Sequence, residues 1–388
     1  MKPNYTRRNF LAAGLALPAA GLRTSTDLSF PLAVGQAKPE PAKLAYHTLG
    51  KTGLKVTTVG FGCMITSDAS VIERAADLGI NYFDTARVYQ GGNNERMVGA
   101  ALKRKRQEII LSSKTPAANK QDALAHLETS LRELGTDHLD IWYLHGKDNA
   151  GAVTDELLEA QRIAKQQGKI RFAGVSTHAP KEIIPAMVSK GAVDVVLANY
   201  NFTMDPGVAA AIEQGNKAGL GIVAMKVMAG GFRRRPSSPS GPPSQLQRNG
   251  AMLAALKWVL KDPNVDTTIP SMTDMDQLEE NLRAMSEPYG AVEEKLLARQ
   301  LEYITPLYCR MCGECTGSCA KALPVAEILR HLAYAEGYGQ FALGREEFLK
   351  LGPEVAAVRC ADCERCSVQC PYGVQVAARL RRAQELFA

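Results

Sequence analysis

The sequence predicts an α/β protein: a (β/α)8 TIM barrel followed by a small C-terminal α-helical domain. Three observations lead there. Between residues 45 and 290, short apolar runs alternate with amphipathic segments eight times. Many of those segments stop at a glycine (Gly79, Gly135, Gly168, Gly191, Gly219), the residue that most readily takes the left-handed turn closing a helix. Eight of the nine cysteines lie after residue 308, in two runs of identical spacing.

Composition sets the outer limits. The 388 residues are 46% hydrophobic and 22% charged, ordinary for a globular enzyme. The net charge is +6. Lys2, Arg7, Arg8 and Arg23 against Asp27 place half of it in the first 35 residues, so no nucleic-acid partner is expected. Arg7 and Arg8 precede an apolar run, 10–22, too short to span a bilayer. That pattern resembles a twin-arginine export signal, and a Pro/Ala/Ser/Thr-rich linker follows. The expected divisions are residues 1–43 for signal and linker, 44–290 for the barrel and 291–388 for the tail. The protein is expected to be exported to the periplasm without stable membrane insertion, or cytoplasmic if the signal is not functional.

Residues 46–59 read as a hairpin turning at 51–53. Strands are expected at 57–64, 81–85, 108–113, 139–145, 170–176, 193–200, 221–227 and 267–270. Helices are expected at 69–78, 94–103, 120–134, 155–167, 180–190, 206–218, 246–261 and 274–285. A doubly wound sheet is the alternative, but Gly60-Phe61-Gly62 is too short for its phosphate-binding fingerprint. In a barrel, chemistry gathers at the C-terminal ends of the strands. Those ends carry Asp84 and Tyr89, Lys114, His145, Ser176 and Thr177, Tyr200 and Asn201, and Lys226. Asp84, Tyr89, Lys114 and His145 form an acid–base set. A tyrosine hydroxyl can give its proton to a carbonyl oxygen. A neighbouring ammonium lowers the pKa of that hydroxyl, and a carboxylate holds the ammonium. A neutral histidine can donate to the substrate oxygen.

The motifs GINYFDTARVYQGGNNERMVG (79–99), IILSSK (109–114), LDIWYLHG (139–146), GKIRFAGVSTH (168–178), AMKVMAGG (224–231) and IPSMTDMDQLEENL (269–282) resemble those of the aldo-keto reductases. The resemblance implies nicotinamide-dependent interconversion of a carbonyl compound and an alcohol. It makes Asp84, Tyr89, Lys114 and His145 the catalytic tetrad, with Tyr89 the general acid. It assigns the cofactor to Ser176, Thr177, Tyr200 (stacked on the nicotinamide), Lys226 and Gly230 (near the pyrophosphate), and Ser271, Gln277, Glu280 and Asn281 (toward the adenosine end). This chain departs from the family at Thr177 and Leu197, where an Asn and a Gln are usual. It also has Ser271 and Gln277 where members using the 2′-phosphorylated cofactor often carry cations, so NAD is favoured over NADP. Arg233 and Arg235 lie in a Pro/Ser-rich loop and read as a solvated run.

In the tail, Cys309, Cys312, Cys315 and Cys319 are followed by Cys360, Cys363, Cys366 and Cys370, with Pro371 next. Three cysteines at spacing three suit three corners of an iron–sulfur cube, and a fourth closes it. Two 4Fe-4S clusters are expected in a ferredoxin-like fold, each run lending its fourth cysteine to the other cluster. Zinc and disulfides are the alternatives. Helices are expected at 325–336, 345–351 and 375–386. Cys63 reads as a barrel-mouth or core residue. The expected partners are a small carbonyl or alcohol substrate and a redox protein. The alternative reading is an iron–sulfur electron-transfer protein whose barrel is a binding scaffold without hydride transfer.

Overall fold

A computed structural model describes residues 43–232 and 250–388. The export signal expected at the N-terminus, and the arginines of 233–235, lie outside the described residues. The described chain opens with an antiparallel hairpin, β1 (Tyr46–Thr48) and β2 (Lys55–Thr57), around a turn at Gly50–Thr52. Then β3 (Phe61–Gly62), α1 (Ala69–Asp77), β4 (Tyr82–Asp84), α2 (Asn93–Leu102), β5 (Ile110–Thr115) and α3 (Lys120–Leu134) alternate. The pattern continues with β6 (Leu139–Leu144), α4 (Asp155–Gln166), β7 (Ile170–Thr177), α5 (Pro180–Lys190), β8 (Val195–Asn199) and α6 (Pro206–Lys217). It ends with β9 (Gly221–Met225), α7 (Ala251–Leu260), β10 (Thr267–Thr268) and α8 (Met275–Arg283). The eight strands β3 to β10 are parallel and neighbour one another in chain order. Bridges from Val59 to Thr268 and from Gly62 to Ser271 join the two edges, so the sheet closes into the expected barrel.

Strand alternation sorts the side chains. Tyr82, Ile110, Tyr143, Leu197 and Val223 fill the interior, while Phe83, Leu111, Trp142, Val196 and Ala224 face the helices. The Tyr82 and Tyr143 hydroxyls meet at 2.8 Å, satisfying two polar atoms in an apolar layer. Leu49, Leu54 and Val56 of the hairpin join the interior cluster and plug the N-terminal end of the barrel. The helices start on side-chain caps that the sequence supplies: Asp68, Asn119, Thr154, Asp205 and Asp274 each accept a first-turn N–H.

The tail begins on the barrel. Helix α9 (Ala291–Ile304) follows the division expected at residue 290, yet its Leu297 packs on Ala254 and Ala255 of α7. That contact explains why α7 is buried almost all round. Beyond it come α10 (Val325–Glu336), α11 (Phe341–Leu349), α12 (Pro353–Ala357) and α13 (Val376–Phe387). Ile328, Leu332, Phe348, Leu380 and Phe387 form a separate small core with six of the cysteines packed at its edge. Among the described residues no helix is long and apolar enough to cross a membrane.

Candidate active site

Strands β4 and β5 bring two charges together. Asp84 pairs with Ser112 in register, and Lys114 lies two residues beyond Ser112 on the same face. Both charged residues are about as buried as any in the chain, at 1% exposure. The Lys114 ammonium donates to the Asp84 carboxylate, to the Thr85 carbonyl at 2.8 Å and to the Tyr89 hydroxyl at 3.3 Å. Ser112 Oγ donates to the other Asp84 oxygen at 2.8 Å. A buried ion pair costs several kcal/mol of desolvation unless its remaining bonds are made, and here they are.

Tyr89 opens a single turn, Tyr89–Gly92, in which Gln90 takes a left-handed φ of 51°. The Gln90 amide holds that turn by donating to the Met64 and Thr66 carbonyls at 3.3 and 2.8 Å. His145 follows β6, and its ring stands edge-on to Tyr89 with centroids 5.8 Å apart and an 83° interplanar angle. Burial lowers the His145 pKa well below the usual histidine value, with Lys114 adding to the effect, so the ring is neutral. Burial raises the Tyr89 hydroxyl well above 10, with Asp84 adding to it. Lys114 was expected to bring that hydroxyl down; burial outweighs it here, and Tyr89 carries its proton at neutral pH. Cys63, fully buried, belongs to the core.

A second ionisable pair escaped the sequence reading. His178 Nδ1 lies 3.0 Å from Asp148 Oδ2, and its backbone N–H donates to Asp148 Oδ1 at 2.6 Å. Burial alone would raise the Asp148 pKa, but its bonds with His178 hold it well below the carboxylate range. The available signal was His178 standing two residues beyond Ser176, where β7 leaves the barrel.

The tail covers the other half of the mouth. The hydroxyl of Tyr334, on α10, accepts from Lys226 Nζ at 3.4 Å, and that ammonium lies 5.0 Å from the ring centre. Asn201 Nδ2 donates to the Tyr308 hydroxyl and Asn199 Nδ2 to the Arg310 carbonyl, both at 3.3 Å. A Cβ at Gly231 would sit 2.9 Å from the Tyr338 ring, and one at Gly230 2.7 Å from the Tyr308 ring.

These contacts revise the expected cofactor residues. Tyr200 does not face the mouth. Val195, Leu197 and Asn199 point inward on β8, so Tyr200 falls out of phase and faces the helices, where its hydroxyl donates to Asp262 at 2.8 Å and its ring packs on Trp258. Thr177 bonds Asp148 at 3.2 Å and accepts the Ala179 N–H at 2.9 Å, so it serves the start of α5. Ser176 accepts the Gly146 N–H at 2.8 Å. Lys226 and Gly230 are engaged by the tail. Ser271 takes part in barrel closure. Gln277 is bonded within its own turn to Thr273 and Asp274. Glu280 and Asn281 are buried in α8. With the tail seated in this way, Lys226 and Gly230 lie against Tyr334, Tyr308 and Gly337.

The cysteines do fit iron–sulfur clusters. Cys309, Cys312, Cys315 and Cys370 line one pocket with Val325, Leu329, Val374 and Val376. Burial raises the Cys309 thiol pKa, and Cys315, Cys312 and Cys370 stand close enough to add to the rise. Burial also raises the Cys360 thiol pKa, with Cys319, Cys363 and Cys366 adding to it. Four thiols around an apolar pocket, with all nine cysteines free, offer the donor chemistry of a cluster, and Cys370 of the second run lines the pocket of the first.

Comparison with known proteins agrees with both parts. Residues 66–253 match the aldo/keto reductase family, and residues 306–374 match the 4Fe-4S dicluster domain. An oxidoreductase of Bacillus subtilis, YqkF, is 27% identical over 65% of this chain and 94% of its own length. L-galactose dehydrogenase of Arabidopsis thaliana is 26% identical over 63% of this chain and 89% of its own. The holo form of aldo-keto reductase AKR11C1 from Bacillus halodurans superposes with a TM-score of 0.57 at 27% identity, covering 66% of this chain and 96% of that one.

Proposed function

We propose that this chain, an aldo/keto reductase domain joined to a 4Fe-4S dicluster domain, is an oxidoreductase that interconverts a carbonyl compound and its alcohol with Tyr89 as general acid. One observation carries the reading: the Tyr89 hydroxyl lies 3.3 Å from a Lys114 whose charge is already held by Asp84. In the reducing direction Tyr89 gives its proton to the carbonyl oxygen. Lys114 stabilises the resulting phenolate, and Asp84 keeps Lys114 charged in a site where burial favours the neutral amine. Neutral His145 donates a hydrogen bond that orients the same oxygen. In the oxidising direction the phenolate recovers the proton.

The resemblance names a nicotinamide as hydride carrier, NAD ahead of NADP. Bound at the mouth, that carrier would supply the hydride that the carbonyl carbon takes up as Tyr89 protonates its oxygen. Two 4Fe-4S clusters, one on each cysteine set, would supply single-electron transfer, with a redox protein as partner. Export by the twin-arginine route is part of the same proposal. The tail seated on Lys226 and Gly230 favours a second reading, an iron–sulfur electron-transfer protein whose barrel binds without hydride transfer.

Anaerobically purified whole protein separates the two. Nicotinamide released on denaturation, together with loss of carbonyl turnover by about 10²- to 10⁴-fold in Tyr89→Phe, supports the first. Clusters that accept electrons in a protein that turns over no carbonyl, and that neither holds nor binds a nicotinamide, support the second. Turnover unchanged in Tyr89→Phe would remove Tyr89 from its role.

A further inference from the structure

Helix α10 brings a cation to the barrel mouth that neither fold nor chemistry has yet accounted for. Arg330 lies one turn before Tyr334, and residues four apart share a helix face. Tyr334 touches Lys226 of the barrel, so Arg330 is presented on the side that meets the mouth. Its Nη2 donates to Glu327 and lies 3.5 Å from His331 Nε2, while its buried Nε has no partner. Its side chain is 19% exposed.

A guanidinium used only for structure would have both edges bonded to protein. Among the described residues this one has a single acidic partner, Glu327, on its own helix. Lys226, the other mouth cation, donates to the Tyr334 hydroxyl and has no acidic partner among the described residues. Lys114 is matched by Asp84. The mouth therefore holds two cations whose partners do not neutralise them from the substrate side. A planar fork of N–H donors suits a carboxylate or a phosphate.

We propose that Arg330 is a substrate-binding residue lent to the barrel by the iron–sulfur tail, and that the substrate is a carbonyl compound bearing an anionic group, carboxylate or phosphate, held by Arg330 while its carbonyl meets Tyr89. Lys226, which touches Tyr334 one turn along the same helix, is a second contact for the same group. The inference rests on the carbonyl–alcohol reading above. It deepens that reading by making the tail part of the specificity pocket as well as an electron carrier.

The test is calorimetric titration of the whole, cluster-loaded protein with two probes, oxamate for the carboxylate arm and inorganic phosphate for the other. One of them should bind, and Arg330→Gln should weaken that binding by about tenfold to a hundredfold. Arg330→Lys, which keeps the charge but not the fork, should fall between. Tyr89→Phe should still bind the probe, which separates anchoring from proton transfer. Binding of oxamate alone identifies a carboxylate, and binding of phosphate alone a phosphate. If neither anion binds the native protein, or if Arg330→Gln and Arg330→Lys both bind as tightly as native, the inference is overturned. The carbonyl–alcohol reading fails by a different result, unchanged turnover in Tyr89→Phe. Unaltered iron content in the Arg330 variants establishes that the tail is still folded.

Discussion

Burial governs the chemistry at single residues here. Asp84, Lys114, Tyr89 and His145 are each pushed toward the uncharged form by desolvation, and what differs is the compensation. Asp84 and Lys114 compensate each other, His145 has no acid beside it, and Tyr89 keeps its proton. His331 is the extreme case outside the site. It is 2% exposed, its Nδ1 has no partner, and burial beside Arg330 brings its pKa down to about 3. A folded-state value below the unfolded one means that the unfolded chain binds the proton first. The contribution of neutral His331 to stability is thus complete above about pH 6.5 and is lost progressively as pH falls toward 3. Thermal melting between pH 7 and 5 should show this loss, and His331→Gln should flatten it. The tetrad residues were legible in the sequence because each stands at a strand end. The Asp148–His178 pair was not, since its members lie 30 positions apart and meet only where two strand-end loops turn toward each other.

At the scale of elements, strand phase and helix seating decide which residues reach the mouth. A one-residue difference separates Asn199, which faces inward and holds the tail, from Tyr200, which faces the helices. Where a strand ends relative to its alternation cannot be read from an all-apolar run, and this is why Tyr200 was misplaced. The seat of α10 depends on Gly337, at the end of that helix. A Cβ there would run into the Gly230 carbonyl, although the backbone φ of −88° would accept alanine. Gly337→Ala should therefore act by packing alone. The expected cost is about 1–3 kcal/mol, as for other overpacked contacts. It should appear as a lower melting temperature and as faster proteolysis within residues 305–388, with the barrel fragment surviving. Unchanged melting would mean that the tail is held without this contact.

At the scale of the whole molecule, the barrel and the tail meet on functional ground. The pocket of the first cysteine set is lined by Arg310, whose carbonyl is bound by Asn199 at the barrel mouth. The proposal that each run lends its fourth cysteine to the other cluster makes a prediction about iron. Cys312→Ala combined with Cys370→Ala should remove one cluster, because both belong to one set. Cys312→Ala combined with Cys319→Ala should remove both. Ligand sets that followed chain order would give the opposite pair of results, so iron and sulfide counts on the two double variants decide between them.

The sequence by itself determined the barrel, the four strand-end residues that converge and the identity of the eight cysteines. Periodicity, caps and ligand spacing are local, and local order along the chain is what a sequence displays. Only the tertiary structure decided that Tyr200 turns away, that Asp148 finds His178, and that α10 sets Tyr334 against Lys226 at the mouth. Those outcomes depend on contacts between segments as much as a hundred residues apart, such as Lys226 with Tyr334. They are settled by which surfaces exclude water together, and no spacing along one strand or helix encodes that.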